Sequence, residues 1–117
     1  MDKQIKLSTQ EKAALRSVRQ VLRQQVSQRW TLAALSRYAK INRWKLTYGF
    51  KTLYGVTVHR YQTRLRMALA KRLVLRTDLP LKAIAGQCGY SDDKNFIAAF
   101  KRHFGCPPSA LKKGKGC

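Results

Sequence analysis

Slid against itself, the chain matches its own second half, and this internal repeat narrows the available architectures more than any other feature. At an offset of 49, Leu32 meets Leu81, Ala34 meets Ala83, Leu35 meets Ile84 and Asn42 meets Ser91. One residue is then inserted and the offset becomes 50, so that Leu46 meets Phe96, Phe50 meets Phe100, Lys51 meets Lys101, Tyr54 meets Phe104 and Gly55 meets Gly105. Each copy reads as a short helix, a brief turn, a capped second helix with an inward aromatic, and a glycine that ends it. This is the helix-turn-helix plan, whose second helix enters the DNA major groove. A chain of 117 residues has room for two such units and little else.

Helical periodicity fills in the remainder. Ser8-Thr9-Gln10-Glu11 is a capping box opening a helix over 9–27, with Leu15, Val18, Leu22 and Val26 on its inner face. A short helix over 32–38 turns Leu32 and Leu35 inward. Asn42 caps the next helix, where Leu46, Phe50 and Leu53 recur until Gly55. Thr57 to Arg76 carries no breaker and predicts a helix of ~30 Å. Asp78 to Pro80 punctuates the chain before a helix over 81–87, a turn at Cys88-Gly89-Tyr90, and a helix capped by Ser91 that runs to Phe104. The expected fold is all-α, with a first helix-turn-helix subdomain over 8–55, a linker helix over 56–77, a second subdomain over 78–111 and a flexible tail over 112–117. Successive major grooves lie ~34 Å apart on one face of B-DNA, so a rigid bridge of that length would present both second helices to neighbouring grooves.

The charge agrees with a polyanionic partner. Lys and Arg number 25 against 5 Asp and Glu, a formal net charge of +20, and no acid lies between Lys12 and Thr77. Yet 44% of residues are hydrophobic, too many for a disordered basic tail. No run approaches the ~20 apolar residues of a membrane span, and the first residues lack an apolar signal-peptide core. Cys88, Cys106 and Cys117 are widely spaced without a CxxC, which suggests reduced thiols and a cytoplasmic protein. His59 and His103 have no partners at metal-ligand spacing.

Residues Leu81 to Pro108 resemble the second helix-turn-helix of the AraC/XylS transcription regulators. The shared pattern is carried by Ile84, Ala85, Gly89, Tyr90, Ser91, Asp92, Phe96, Phe100, Lys101, Phe104, Gly105 and Pro108, while Tyr61, Arg66, Ala70 and Leu73 resemble the family's linker helix. The resemblance covers roughly residues 15–111 and implies a homeodomain-like fold of about seven helices. It also implies a bacterial-type regulator that binds double-stranded DNA, acts as an activator and contacts RNA polymerase. As this chain alone it would be a monomer, with dimerisation left to a separate domain. The first unit departs at two positions: Ser36 stands where the family usually has Ala, and Lys40 where it usually has a turn Gly. Gly takes the left-handed conformation cheaply, so Lys40 must bear a small cost or the turn must differ.

Carried over position by position, the resemblance nominates base-reading residues on both second helices. The first would present Arg43, Trp44, Lys45, Thr47 and Tyr48. The second would present Asp93, Lys94, Asn95, Ile97 and Ala98. Arg and Lys can donate to guanine, Asn95 can pair with adenine, Asp93 can accept from cytosine, and Thr47, Ile97 or Ala98 can meet a thymine methyl. Lys51, Arg60, Arg64, Arg72, Lys101 and Arg102 are the phosphate candidates. Asp92, in the first helical turn, suits a structural role at the positive end of the helix dipole.

Three other readings compete for a chain of this composition. A basic protein binding RNA or DNA without sequence preference accounts for the charge but not for the repeat. A thiol enzyme using Cys88 or Cys117 lacks a positioned base, and no paired carboxylates or Ser/His/Asp set is legible. A membrane-active cationic helix is disfavoured by the interrupted helices. No catalytic group, cofactor or metal is expected.

Overall fold

The computed structural model describes residues 6–112 and 114, which form seven helices and, among the described residues, no strand. Helix α1 is Thr9–Gln24, α2 Leu32–Ala39, α3 Arg43–Tyr54, α4 Val58–Arg76, α5 Leu81–Gln87, α6 Asp93–Phe104 and α7 Pro108–Lys112. The chain divides into two compact units, with the boundary between Thr63 and Arg64 inside α4. Of the tail expected over 112–117, Lys112 is the last residue of α7, and of the rest only Gly114 lies within the described residues.

In the first unit the capping box at α1 is complete. The Ser8 N–H donates to Glu11 Oε1 at 2.9 Å, and the Glu11 N–H to Ser8 Oγ at 3.0 Å, which satisfies two of the orphan donors of the first turn. Leu15, Val18, Val21 and Leu22 are buried. The helix ends three residues before the periodicity suggested. A turn closed by the Gln28 N–H on the Gln25 carbonyl takes over at 3.1 Å, and Val26 is half-buried outside the helix. Thr31 caps α2, and Asn42 caps α3 through a 2.7 Å bond from the Lys45 N–H. Leu46 and Phe50 are fully buried, but Leu53 is 38% exposed. Periodicity placed Leu53 on the inner face; it could not say whether anything covers the last turn of α3. Gly49 faces α1 so closely that an added Cβ would lie 3.0 Å from Leu15 Cδ1.

The second unit is built around Met67, Ala70, Val74, Ile84, Ala85, Cys88, Phe96 and Phe100, a single buried cluster. Its aromatic rings pack in sequence, edge-on or tilted: Tyr90 to Phe96 at 5.6 Å, Phe96 to Phe100 at 5.9 Å and Phe100 to Phe104 at 4.6 Å between centroids. The cap of α6 is Asp92, not Ser91. Its carboxylate accepts the Asn95 N–H at 2.7 Å, and Ser91 falls one residue short of that geometry. With Asp92 as the cap, α3 and α6 correspond at a constant offset of 50 from cap to terminal glycine, and the inserted residue falls in the turn.

Both turns close alike. In the first, the Ile41 N–H reaches back to the Ser36 carbonyl at 3.1 Å across Lys40, whose φ of 55° and ψ of 47° are left-handed. In the second, the Tyr90 N–H reaches the Ala85 carbonyl at 2.9 Å across Gly89, φ 89°. The closure therefore does not differ, although the second turn carries one more residue, and Lys40 bears the cost. Ser36 adds a bond that Ala85 cannot make, its hydroxyl donating to the Ile41 carbonyl.

Candidate nucleic-acid interface

Capping at Asn42 and at Asp92 fixes where α3 and α6 begin, and burial of Leu46 and Phe50, or of Phe96 and Phe100, fixes their roll. The outward faces follow from that roll. On α3, Arg43, Trp44, Tyr48 and Lys51 are exposed. Trp44 is 56% and Tyr48 51% exposed, and their rings lie 5.2 Å apart, forming one aromatic surface in place of two isolated side chains. On α6, Asp93, Lys94, Asn95, Ala98 and Lys101 are exposed. Cationic donors and flat apolar surface on α3 suit guanine edges and thymine methyls, whereas α6 offers an amide, a carboxylate and a methyl.

Three nominated residues are not on these open faces. Lys45 is half-buried against α1, its ammonium 3.6 Å from Glu11 Oε1 and 3.1 Å from the Lys6 carbonyl. Thr47 is half-buried and lines a cavity of about 330 Å³ with Trp30, Leu32, Thr57, Val58, His59 and Gln62. Ile97, its counterpart on α6, packs against the second core. Asn95 is exposed but already engaged, its amide donating to Asp92 Oδ2 at 3.1 Å. One amide hydrogen and the carbonyl oxygen of Asn95 then have capacity for a base edge.

The phosphate candidates Lys51, Arg60, Arg64, Arg72, Lys101 and Arg102 are all exposed. Gly86 faces open space, and an added Cβ there would meet nothing within 4 Å, so no close helix packing requires a glycine at that position. Glu11 is the residue that sequence reasoning undervalued. The capping box accounts for only part of its role, since it also pairs with α3; the legible signal is its isolation as the only acid from Lys6 to Thr77.

The thiols offer no comparable chemistry. Cys88 is a free cysteine with no exposure, and burial pushes its thiol up to about 11, the Arg66 charge opposing only in part. A thiol so raised is a poor nucleophile at neutral pH. Cys106 is disulfide-bonded, which corrects the expectation of three reduced thiols. Spacing along a chain does not reveal which sulfurs the fold brings within bonding reach. Cys117 lies outside the described residues. Among the described residues no group of three or more His, Cys, Asp or Glu could hold a metal ion, and no helix is long and apolar enough to cross a membrane.

Residues 35–114 match the family described as a helix-turn-helix domain. The probable transcriptional regulator LumQ of Photobacterium leiognathi is 33% identical over 88 residues, covering 75% of this chain and 36% of that protein. The RCS-specific transcriptional activator RclR of Escherichia coli is 32% identical over 84 residues, covering 72% of this chain and 30% of that protein. The chain thus spans about a third of the length of these relatives. Among solved structures, the C-terminal domain of the response regulator AraT from Geobacillus stearothermophilus superposes with a TM-score of 0.84 at 27% identity, covering 97% of this chain and 91% of that one. With two capped helix-turn-helix units, a family match over most of its length and transcription regulators for relatives, the chain belongs to the AraC-type helix-turn-helix family of DNA-binding domains, which is not a family of enzymes.

Proposed function

We propose that the chain is a sequence-specific, double-stranded DNA-binding regulator of transcription, working in the cytoplasm as an activator, whose helices α3 and α6 enter adjacent major grooves of one duplex. The observation that carries this reading is the pair of capped helices, each rolled by buried aromatics so that polar and cationic side chains face outward at corresponding positions. Arg43, Trp44 and Tyr48 would read one half-site. Asp93, Lys94, Asn95 and Ala98 would read the other. Lys51, Arg60, Arg64, Arg72, Lys101 and Arg102 would hold phosphates, since such contacts set register and carry most of the salt-dependent affinity. The naming of RclR as an activator supports activation, and an activator of this kind would take RNA polymerase as a further partner. The chain would bind as a monomer, reading two half-sites with its own two units.

In vitro selection of duplexes of ~30 base pairs from a random library, with competitor DNA at near-physiological salt, tests the proposal. The expected product is a motif in two blocks about one helical turn apart. A single block would restrict base reading to one unit. Tight, steeply salt-dependent binding without any motif would replace the regulator with a non-specific basic nucleic-acid-binding protein.

A further inference from the structure

Lys45 occupies the first turn of a helix proposed to enter DNA, yet its ammonium is committed within the protein. It lies 3.6 Å from Glu11 Oε1 and donates to the Lys6 carbonyl at 3.1 Å. Glu11 cannot follow Lys45 outward, because the same oxygen accepts the Ser8 N–H at 2.9 Å and the Ser8 hydroxyl holds the Glu11 backbone. Those Ser8 bonds, together with the Lys45 charge, keep the Glu11 carboxyl below its ordinary range against a smaller opposing effect of desolvation. Both side chains remain about a quarter exposed, 25% for Lys45 and 28% for Glu11, so solvent and a phosphate can reach the pair.

We propose that Glu11 is an internal stand-in for a DNA phosphate: it occupies Lys45 in the free protein and so weakens binding to duplex of any sequence. The inference rests on the DNA-binding reading above and deepens it by naming a residue that sets the electrostatic, sequence-independent part of the affinity. Magnitudes decide between this role and that of a strut. Partly exposed ion pairs are worth no more than a few-fold in equilibrium, too little to orient α3, which burial of Leu46, Gly49 and Phe50 already fixes. A few-fold is, however, the scale of one phosphate contact in moderate salt. Glu11 is also the only acid from Lys6 to Thr77, so in that span it is the only side chain whose neutralisation makes the field met by an approaching polyanion more positive.

The test is Glu11→Gln, because glutamine keeps the reciprocal capping box while removing the charge. Binding of the whole chain to a random-sequence duplex of ~20 base pairs is followed by fluorescence anisotropy across a salt series, for the parent, Glu11→Gln, Lys45→Gln and the double variant. Glu11→Gln should bind roughly three- to tenfold more tightly at ~50 mM salt, and the log–log salt slope should steepen by about 0.9 as one more phosphate is neutralised. Both changes should vanish when Lys45→Gln is added. Unchanged or weaker binding by Glu11→Gln overturns the inference, as does an equal gain in the Lys45→Gln background, which would make the effect one of general charge. A parent chain that fails to bind duplex at any salt overturns the DNA-binding reading itself.

Discussion

The turn before α3 and the turn before α6 close with the same hydrogen bond but are built from different residues. In the second unit Gly89 takes the left-handed conformation and Ala85 supplies only its carbonyl. In the first unit Lys40 takes that conformation with a Cβ, and the Ser36 hydroxyl adds a bond to the far side of the turn. A left-handed non-glycine residue costs about 1–2 kcal/mol, and one hydrogen bond returns about 1 kcal/mol, so the two units reach similar backbones by different balances. The turn geometry is what the fold demands. The glycine is one way of meeting it.

The comparison can be broken most severely in the cores. Phe50 and Phe100 are corresponding, fully buried residues, so Phe50→Ala and Phe100→Ala should each lower stability by about 3–5 kcal/mol in denaturant unfolding. If one costs much less than the other, the two cores are not equivalent.

The turns give the next largest effect, and one with opposite signs. Gly89→Lys should destabilise by about 1–2 kcal/mol, while Lys40→Gly should stabilise by up to about 1 kcal/mol. Thermal unfolding of Ser36→Ala alone and combined with Lys40→Gly sharpens the point. Loss of the hydroxyl should cost about 1 kcal/mol, and the glycine should offset it.

The smallest effect concerns pH. The Glu11 carboxyl is lowered in the folded chain below the ordinary 4.5, so it binds protons less readily folded than unfolded. Its contribution is therefore present above pH 4.5 and lost as pH falls through the folded value. Thermal melts between pH 3 and 7 should show the parent's advantage over Glu11→Gln disappearing at the acid end.

The order of the first six helices, the capping box, Asn42 as a cap and both terminal glycines were legible because each rests on local chemistry; the short α7 was not. Three misreadings were tertiary or competitive. Ser91 and Asp92 are both good caps, and only the backbone path decides between them. Val26 and Leu53 fit the helical period, but the period does not show where a helix stops or what covers its last turn. At the candidate interface, exposure of Trp44 and Tyr48 could be argued from neighbouring Leu46 and Phe50. Withdrawal of Lys45 toward Glu11 could not, because the two residues lie on different helices and meet only in the folded unit.

The central claim is that two helices of one chain each read their own half-site. Repeating the selection from random duplexes with Arg43→Ala and with Asn95→Ala tests it most directly. Each substitution should erase or relax one block of the selected motif, a different block for each, and cost about 1–3 kcal/mol against the parent site at the position read. Two variants that select the parent motif unchanged, losing affinity equally for all sequences, would make both residues phosphate contacts and contradict the account.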